Sequence, residues 1–300
     1  MSSPVSTLRL LLALASVYLI WGSTYLAIRF AIDTIPPFTM AGTRFLLAGI
    51  CLLAIAKGTG VPKATAPQWR GAALIGFLML VCGNGAVCWA EKTVPSGLAS
   101  LLIATVPLWA VVLSAVLPGG KMPRPRVVTG ILVGLFGVGV LVNPLQSARS
   151  SAIAPSGAAA LLFAAAAWGA GSVLSKRVSL PSSPTLSTAL QMLAGGSLLL
   201  AIGAVSGEWS HIHLSAITLK SILSVAYLLV FGSLIGFTAF VWLLRNTSAV
   251  LATSYAYVNP LVAVLLGWAW NGETPSPSTA AAGALVIAAV VLITTGRPAK

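Results

Sequence analysis

The feature that most constrains this 300-residue chain is an internal duplication that carries Trp, Gly and Pro to matching places in both halves. Trp21-Gly22 recurs 147 residues later as Trp168-Gly169, and Pro107-Leu108 recurs 153 residues later as Pro260-Leu261. One loop that is six residues longer in the second copy accounts for the change in spacing. We therefore predict two copies of one structural unit.

Composition places these units in a lipid bilayer. Hydrophobic residues make up 58% of the chain, charged residues make up 7%, and the mean hydropathy is +0.99. A soluble domain of this size cannot bury so much apolar surface. A helix needs roughly 20 residues to cross the hydrocarbon core, and the apolar stretches are continuous rather than alternating, which favours helices over barrel strands. We predict an all-α polytopic membrane protein with ten transmembrane helices. The ten stretches are 8–31, 37–56, 70–90, 95–117, 126–143, 155–177, 185–206, 219–244, 249–270 and 277–296.

The two copies are predicted to lie in opposite orientations. A polar segment over 143–155 separates them, so we place the first five-helix repeat at 1–147 and the second at 148–300. Because five is odd, the second copy begins on the face of the membrane where the first one ends. Such inverted repeats are common in secondary transporters, whose substrate site lies between the copies near the bilayer midplane.

The net charge of +13 is explained by the distribution of basic residues that is usual in membrane proteins. It therefore does not indicate a nucleic-acid partner. With ten spans both termini share a face, and that face collects twelve basic residues, whereas the opposite face has four basic residues and all four acids. The positive-inside rule makes the richer face cytoplasmic. We therefore predict a multi-pass protein of the bacterial inner membrane with cytoplasmic N and C termini. The richer face carries Arg9, Lys57, Lys63, Arg70, Lys121, Arg124, Arg126, Lys176, Arg177, Arg245, Arg297 and Lys300; the other carries Arg29, Lys92, Arg149 and Lys220 with Asp33, Glu91, Glu208 and Glu273.

The sequence lacks the residues that several kinds of activity require. No Gly-rich run ends in Gly-Lys-Ser or Gly-Lys-Thr, so we do not expect ATP bound to this chain to power transport. No Asp, Glu or His lies deep within a hydrophobic stretch, which argues against carboxylate-based proton antiport and against metal-dependent or protease chemistry. Cys51, Cys82 and Cys88 lack metal-ligand spacing and are interpreted as packing residues. We expect no catalytic residue, no cofactor and no metal.

Two tryptophans and an asparagine are candidates for a substrate site at mid-membrane. Trp21 and Trp168 lie about thirteen residues into their stretches, away from the interface where tryptophan is usual. Their rings either wall an apolar or aromatic substrate or fill the seam between the copies. Asn84 needs a polar partner in hydrocarbon, either the substrate or another helix. Asn259 is assigned instead to the backbone of the interrupted ninth stretch.

One basic residue and two prolines extend this set. Arg44 lies within the second stretch, where its guanidinium either holds a carboxylate through two parallel hydrogen bonds or reaches outward to the membrane surface. Pro107 and Pro260 interrupt corresponding stretches; such matched interruptions are typical of a transporter's central cavity, and an inherited packing kink is the alternative. Tyr255 and Tyr257 cannot both face one cavity, because they are two residues apart on a helix. We assign Tyr255 to it.

Short motifs follow one another along the chain in an order that is specific, although each is weak alone. They are Trp21-Gly22-Ser23-Thr24-Tyr25, Arg44-Phe45, Gly83-Asn84-Gly85, Ala90-Glu91, Val94-Pro95-Ser96-Gly97-Leu98-Ala99, Thr105-Val106-Pro107-Leu108, the run from Ser248 to Gly267, and Gly272-Glu273. With these motifs the chain resembles the EamA-type bacterial inner-membrane permeases of the drug/metabolite transporter superfamily over nearly its full length.

The resemblance implies ten helices in two inverted five-helix repeats, and the export of small metabolites, with aromatic and other amino acids as cargo. It implies a cavity among spans 1, 3, 4, 6, 8 and 9, and it adds Tyr25, which shares a motif with Trp21, to the candidate substrate-binding residues. One departure is Gly119-Gly120, where the family often has a Gly-Glu pair like Gly272-Glu273. This departure favours a helix-end or loop role for Glu273.

The sequence therefore predicts a secondary transporter that exports small organic metabolites, amino acids and aromatic ones among them, by alternating access of the facilitated or exchange type. The alternatives are a membrane-embedded enzyme and a passive channel for small solutes. The expected partners are a small-molecule substrate and the lipid bilayer, and a monomer is compatible with the sequence.

Overall fold

The computed structural model describes residues 6–94, 96–118, 123–142, 155–271 and 277–294. Within these ranges the chain is helical and forms no β-strand, which confirms the all-α prediction for this part of it. Most of the predicted seam, and both Gly119-Gly120 and Gly272-Glu273, lie outside the described residues. The helices are α1 (Thr7–Ala31), α2 (Pro37–Gly58), α3 (Ala66–Ala90), α4 (Ser96–Ile103), α5 (Val106–Val116), α6 (Pro125–Val142), α7 (Pro155–Leu174), α8 (Pro184–Val205), α9 (Leu219–Asn246), α10 (Ala249–Thr253), α11 (Tyr255–Asn271) and α12 (Pro277–Thr294), with 3₁₀ turns at Glu208–His211 and Leu214–Ala216.

Six of these helices, α1, α2, α3, α7, α8 and α9, are long and apolar enough to cross a membrane, by length and composition. Their outward faces are apolar: on α1, for example, Leu12, Leu19 and Leu26 are 59%, 63% and 45% exposed. Leucines spaced seven apart on a helix lie close to one face, and a large exposed apolar face suits contact with lipid. The chain is thus a polytopic helical protein with a lipid-compatible surface.

The fourth and ninth predicted stretches are each divided into two helices. Ala104 and Thr105 separate α4 from α5, and Pro107 lies in the first turn of α5, where its missing N–H breaks no helical hydrogen bond. In the second copy the interruption falls at Ser254, and Pro260 lies inside α11, six residues later. The prolines therefore mark the divided stretches, but only Pro107 lies at the division itself.

Helices α3 and α9 contain π-helical segments at corresponding places, Phe77–Gly85 and Leu228–Phe237. A π segment makes i→i+5 bonds and widens the helix, and such segments are frequent at functional sites. Gly83 and Gly236, which are 153 residues apart, occupy matching positions in them. Helix periodicity in the sequence does not distinguish π from α turns, so these segments were not predicted.

Helices α2 and α8 approach each other most closely at glycines. A Cβ atom placed on Gly196 would lie 2.6 Å from the backbone nitrogen of Leu46 and 3.0 Å from the carbonyl oxygen of Gly42. A Cβ on Gly49 would lie 2.9 Å from the backbone nitrogen of Leu193. Small residues at crossings allow backbones to touch in membrane bundles. Gly49 and Gly196, matched in the duplication, therefore serve the same interface from opposite sides.

Contacts between the halves are reciprocal. Helix α1 packs on α9 and α11, and α7 packs on α3 and α5; α2 pairs with α8, and α6 pairs with α12. The Trp-Gly pairs contribute to this pattern. Gly22 lies against Val262 of α11 and Gly169 lies against Trp109 of α5, with spacings that leave no room for a side chain. Each copy therefore inserts its first helix between the corresponding helices of the other copy.

Candidate functional site

All six candidate substrate-binding residues line one cavity between the two halves. The cavity has a volume of about 70 Å³, enough for a few water molecules. Helices α1, α2, α3, α7, α9 and α11 all contribute to its walls, and so do the facing ends of α4 and α5. The predicted residues among the lining are Trp21, Tyr25, Arg44, Asn84, Trp168 and Tyr255.

Five aromatic rings form a cluster at the centre of this site. Trp21 meets Trp168 edge-on with ring centroids 5.5 Å apart, and it meets Tyr255 edge-on at 4.7 Å. Phe240 lies 5.0 Å from Trp21 and 5.8 Å from Trp168, and Phe237 lies within 6.3 Å of both tryptophans. Edge-to-face pairs add about 0.5–1.5 kcal/mol each beyond the area they bury. We name these five residues the aromatic box.

Sequence reasoning missed the two phenylalanines of the aromatic box. Phe237 corresponds to Asn84 in the duplication, and Phe240 follows it by one turn of helix. Nothing in their spacing separates them from ordinary apolar residues of a transmembrane stretch. The usable signal was Gly236, since a glycine matched to Gly83 indicates that something bulky packs against this point of the helix.

Each tryptophan of the aromatic box packs against a glycine in the other copy. A Cβ on Gly83 would lie 2.7 Å from Cε3 of Trp168, and one on Gly236 would lie 2.5 Å from Nε1 of Trp21. The indole N–H of Trp21 donates to the carbonyl of Gly232 at 3.1 Å. The indole nitrogen of Trp168 is buried and has no partner among the described residues. Trp21 is therefore fixed by the scaffold, whereas the indole N–H of Trp168 is left without a partner among the described residues.

Arg44 and Asn84 form the polar side of the cavity. Arg44 is 3% exposed, so its side chain lies inside the bundle and does not reach outward. Its Nη2 donates to Oδ1 of Asn84 at 2.8 Å, and the Cys88 thiol lies 3.4 Å from the same oxygen. The partner of Asn84 in this structure is thus another helix, which was one of the two alternatives. The amide holds the guanidinium at the cavity.

The positive charge of Arg44 is not neutralised in the described part of the chain. The ion pair found there joins Lys220 and Asp33, at 3.9 Å, and both side chains are about half exposed. Arg44 Nε has no hydrogen-bond partner in these described ranges, and the guanidinium carbon lies 4.2 Å from the ring centroid of Phe45. A buried cation without a counter-ion is costly. An anionic group that enters the cavity would offset this cost.

The residues before Pro260 divide between two environments. Tyr255 faces the cavity, whereas the ring of Tyr257 packs against Gly134 of α6, as residues two apart on a helix should. Asn259, which we had assigned to the helix backbone, also lines the cavity, and its Oδ1 has no hydrogen-bond partner among the described residues. It adds an acceptor to the site that sequence reasoning did not include.

Glu91 is a buried acid at the end of α3. The sequence predicts it at an outer helix end, and it lies there. It is nevertheless fully buried, and neither carboxyl oxygen has a partner among the described residues. Arg29 of α1 donates to the backbone carbonyl of Glu91, not to its side chain. Burial raises the pKa of the Glu91 carboxyl well above its ordinary value, and the charge of Arg29 opposes this shift. The carboxyl therefore favours its neutral form.

Replacing Glu91 with glutamine is expected to remove a pH-dependent part of the stability. Above the ordinary carboxyl pKa of 4.5, the folded protein keeps the Glu91 proton while the unfolded chain releases it. The free energy of unfolding therefore falls as pH rises from 4.5 towards the pKa of the folded state. The midpoint temperature of thermal unfolding is measured on nanodisc-embedded protein at pH 5 and pH 8. It should fall further from pH 5 to pH 8 for wild type than for Glu91→Gln.

The matched control is Glu208→Gln, because the carboxylate of Glu208 accepts hydrogen bonds from Phe38 and Thr39. This variant should lose stability at both pH values and keep the wild-type trend with pH, because Glu91 is intact. Identical pH trends in wild type and Glu91→Gln would contradict a neutral carboxyl at Glu91.

The sequence model of the EamA-like transporter family matches this chain twice, over residues 8–143 and 155–295. The two matches fall on the two halves of the duplication and leave out the polar segment between them. Together they cover most of the chain.

Full-length relatives carry transporter names. A protein of Escherichia coli (strain K12) named as the uncharacterized inner membrane transporter YedA is 42% identical over 293 residues, which are 96% of this chain and 92% of that protein. A probable terminal-alkyne amino-acid exporter of Streptantibioticus cattleyicolor is 29% identical over 283 residues, 94% of this chain and 92% of that one. A solved crystal structure, 24% identical, superposes with a TM-score of 0.75 over 98% of both chains and shares the fold.

Proposed function

Because this chain belongs to the EamA-like transporter family, we propose that it is a secondary transporter that exports small organic metabolites bearing a carboxylate across the bacterial inner membrane. Amino acids, aromatic ones among them, are the proposed cargo. Transport is of the facilitated or exchange type, and the central cavity is the substrate site.

The buried, uncompensated guanidinium of Arg44 carries this proposal. An arginine held inside a membrane bundle is a functional candidate by default, and a guanidinium binds carboxylates through two parallel hydrogen bonds. Asn84 occupies one edge of the group at 2.8 Å, while Nε has no partner in the described part of the chain. A substrate carboxylate placed at the cavity would pair with the free edge.

The aromatic box supports an amino acid as cargo. Four of its five rings line the cavity that Arg44 also lines, so one part of the site favours an anion and another favours an apolar or aromatic side chain. The Oδ1 of Asn259, which has no hydrogen-bond partner among the described residues, is an acceptor that suits an ammonium group. The name of the Streptantibioticus relative, an amino-acid exporter, agrees with this choice.

The proposed mechanism is alternating access between two inverted five-helix repeats, 1–147 and 148–300, with both termini in the cytoplasm. The reciprocal helix contacts and the matched π segments support it. The narrowness of the cavity also supports it, because a solute as large as an amino acid requires the aromatic box to open. In this orientation Thr24, Tyr25 and Ile28 lie beyond Trp21 on α1, so the cavity extends towards the periplasmic side.

Two measurements on purified protein test this function. Thermal unfolding in the presence of amino acids and other carboxylates identifies the cargo, because a ligand that binds only the folded state raises the midpoint. Counterflow in proteoliposomes then separates a carrier from a channel. Uptake of the labelled solute should accelerate when the unlabelled solute is inside. Fast flux without acceleration would indicate a channel, and conversion of the solute into a product would indicate an enzyme.

Replacing Asn84 with aspartate is expected to weaken binding of carboxylate substrates about tenfold. The new carboxylate would lie within hydrogen-bond distance of Arg44, as the amide oxygen does at 2.8 Å, and would compete with the substrate anion for the same guanidinium. Equilibrium binding of the cargo from the screen, and of the corresponding amine without its carboxylate, measures the effect. Affinity for the carboxylate should fall and affinity for the amine should not.

Asn84→Ala provides the comparison, because it removes the amide without adding charge. It should reduce transport by leaving Arg44 poorly positioned, but it should bind the carboxylate more tightly than Asn84→Asp does. Equal affinities of wild type and Asn84→Asp for the carboxylate would refute the assignment of Arg44 to the substrate anion.

A further inference from the structure

A second cavity, of about 310 Å³, lies where α7 and α9 end on the proposed cytoplasmic side. Lys176, just after α7, and Arg245, near the end of α9, lie in its wall, and Gln191 of α8 forms part of its lining. It shares no lining residue with the central cavity. At about 310 Å³ it is large enough for a small organic solute.

The second cavity has cationic groups and no acidic side chain among its lining residues. The ammonium of Lys176 donates to the carbonyl of Thr247, and Arg245 donates to the carbonyls of Pro181 and Ser182. An ammonium has three donors and a guanidinium has five, so both groups keep donors that these carbonyls do not use.

Gln191 adds an acceptor to this set. Its side chain is 1% exposed, and its Nε2 donates to Oγ of Ser187 at 3.1 Å. Its Oε1 is buried without a hydrogen-bond partner among the described residues. A buried carbonyl oxygen in this state is satisfied by a donor such as an ammonium or hydroxyl group.

Two helices join the second cavity to the aromatic box. Trp168 of α7 and Ser175, which directly follows α7, are seven residues apart, and Phe237 and Leu244 of α9 are also seven apart. Such pairs lie on one face of a helix and are separated by about 10 Å. The first member of each pair belongs to the aromatic box and the second lines the second cavity. A path along these faces of α7 and α9 would join the two cavities.

The duplication shows how the surroundings of Lys176 differ from those of its counterpart in the first copy. Leu244, which lines the second cavity, corresponds to Glu91 in the first copy, and Lys176 corresponds to Arg29. Arg29 therefore has a neighbouring carboxyl, whereas Lys176 has an apolar neighbour. The second copy leaves its positive charge available to a ligand.

We propose that the second cavity is a cytoplasmic loading subsite for the zwitterion of an α-amino acid. Lys176 and Arg245 hold the carboxylate, and Oε1 of Gln191 accepts a hydrogen bond from the ammonium. This proposal rests on the proposed export function. The solute docks here before a path along α7 and α9 opens and passes it to the aromatic box.

A cysteine reporter tests the subsite without measuring transport. Ser175→Cys places a thiol in the lining, in a background where Cys51, Cys82 and Cys88 are alanine. Its reaction rates with an anionic and a cationic methanethiosulfonate reagent are measured on purified full-length protein. The matched control is Ala66→Cys, an exposed position at the start of α3 on the same basic face.

The ratio of anionic to cationic reaction rates at Ser175→Cys should exceed that at Ala66→Cys about tenfold. Adding Lys176→Gln and Arg245→Gln should reduce the ratio at residue 175 to that of the control and leave the control unchanged. L-phenylalanine should slow labelling at residue 175 about threefold, and phenethylamine, which lacks the carboxylate, should not.

Three results would overturn the proposal. The first is an equal ratio of anionic to cationic reaction rates at residues 175 and 66. The second is failure of L-phenylalanine to slow labelling at residue 175. The third is slower labelling at residue 175 in phosphatidylglycerol vesicles, but not in phosphatidylcholine vesicles, when no solute is added. The last result would assign the cations to a lipid headgroup. Counterflow tests the export function separately, and its absence would contradict export. The labelling ratio does not depend on transport.

Discussion

Alanine in place of Trp168 is expected to lower solute transport roughly tenfold or more while the protein remains inserted in the membrane. The substitution removes one wall of the aromatic box, including the edge-on contact with Trp21 at 5.5 Å and the contact with Phe240 at 5.8 Å. It also removes a buried indole N–H that has no partner among the described residues. Initial rates of counterflow in proteoliposomes, normalised to reconstituted protein, measure the loss.

Trp89→Ala is the matched control for this prediction, because Trp89 is 38% exposed near the end of α3 and does not line the cavity. It should transport at close to the wild-type rate. Trp168→Phe should recover part of the rate, since it restores a ring at the same place. Wild-type transport by Trp168→Ala would refute the assignment of the central cavity as the substrate site.

Valine in place of Gly196 is expected to destabilise the bundle by about 3 kcal/mol, near the upper end of the usual cost of overpacking. Even a Cβ atom at residue 196 would lie 2.6 Å from the backbone nitrogen of Leu46 and 3.0 Å from the carbonyl of Gly42. These are backbone atoms of α2 and cannot turn aside as the end of a long side chain can. The measurement is the fraction of detergent-solubilised protein that stays monodisperse after heating. This fraction should fall at a lower temperature for Gly196→Val than for wild type.

Gly58→Val is the control, because a Cβ on Gly58 has no heavy atom within 4 Å. Both substitutions introduce the same side chain at a helical glycine, so the difference between them isolates the contact between α2 and α8. Equal thermal stability of Gly58→Val and Gly196→Val would show that the two helices are not in backbone contact at residue 196.

The helices and the candidate site were largely predictable because membrane burial imposes a simple pattern. Apolar length fixes where long helices lie: the stretch 37–56 became Pro37–Gly58, for example. Asn84 and Arg44 were identifiable because polar groups in apolar stretches must find a partner. That they are partners of each other, at 2.8 Å, could not be predicted, because the pairing depends on how α2 and α3 cross.

The remaining features arise from packing between distant segments. The break at Ser254, six residues before Pro260, has no local signal as strong as the proline itself. The burial of Glu91 depends on α1, whose Arg29 reaches the end of α3. Conversely, the matched Trp and Gly residues acquire a physical reason only in the structure, where Trp168 packs against Gly83 and each copy fills a space left by the other.

Access to the cavity from both sides of the membrane is the most direct test of the proposed mechanism. Thr24 lines the central cavity, and Thr24→Cys, in a background without the native cysteines, can be labelled with a membrane-impermeant thiol reagent in right-side-out and inside-out vesicles. Alternating access predicts labelling from both sides, and transported solute should slow the reaction from each side. Labelling from one side only, with or without solute, would contradict it.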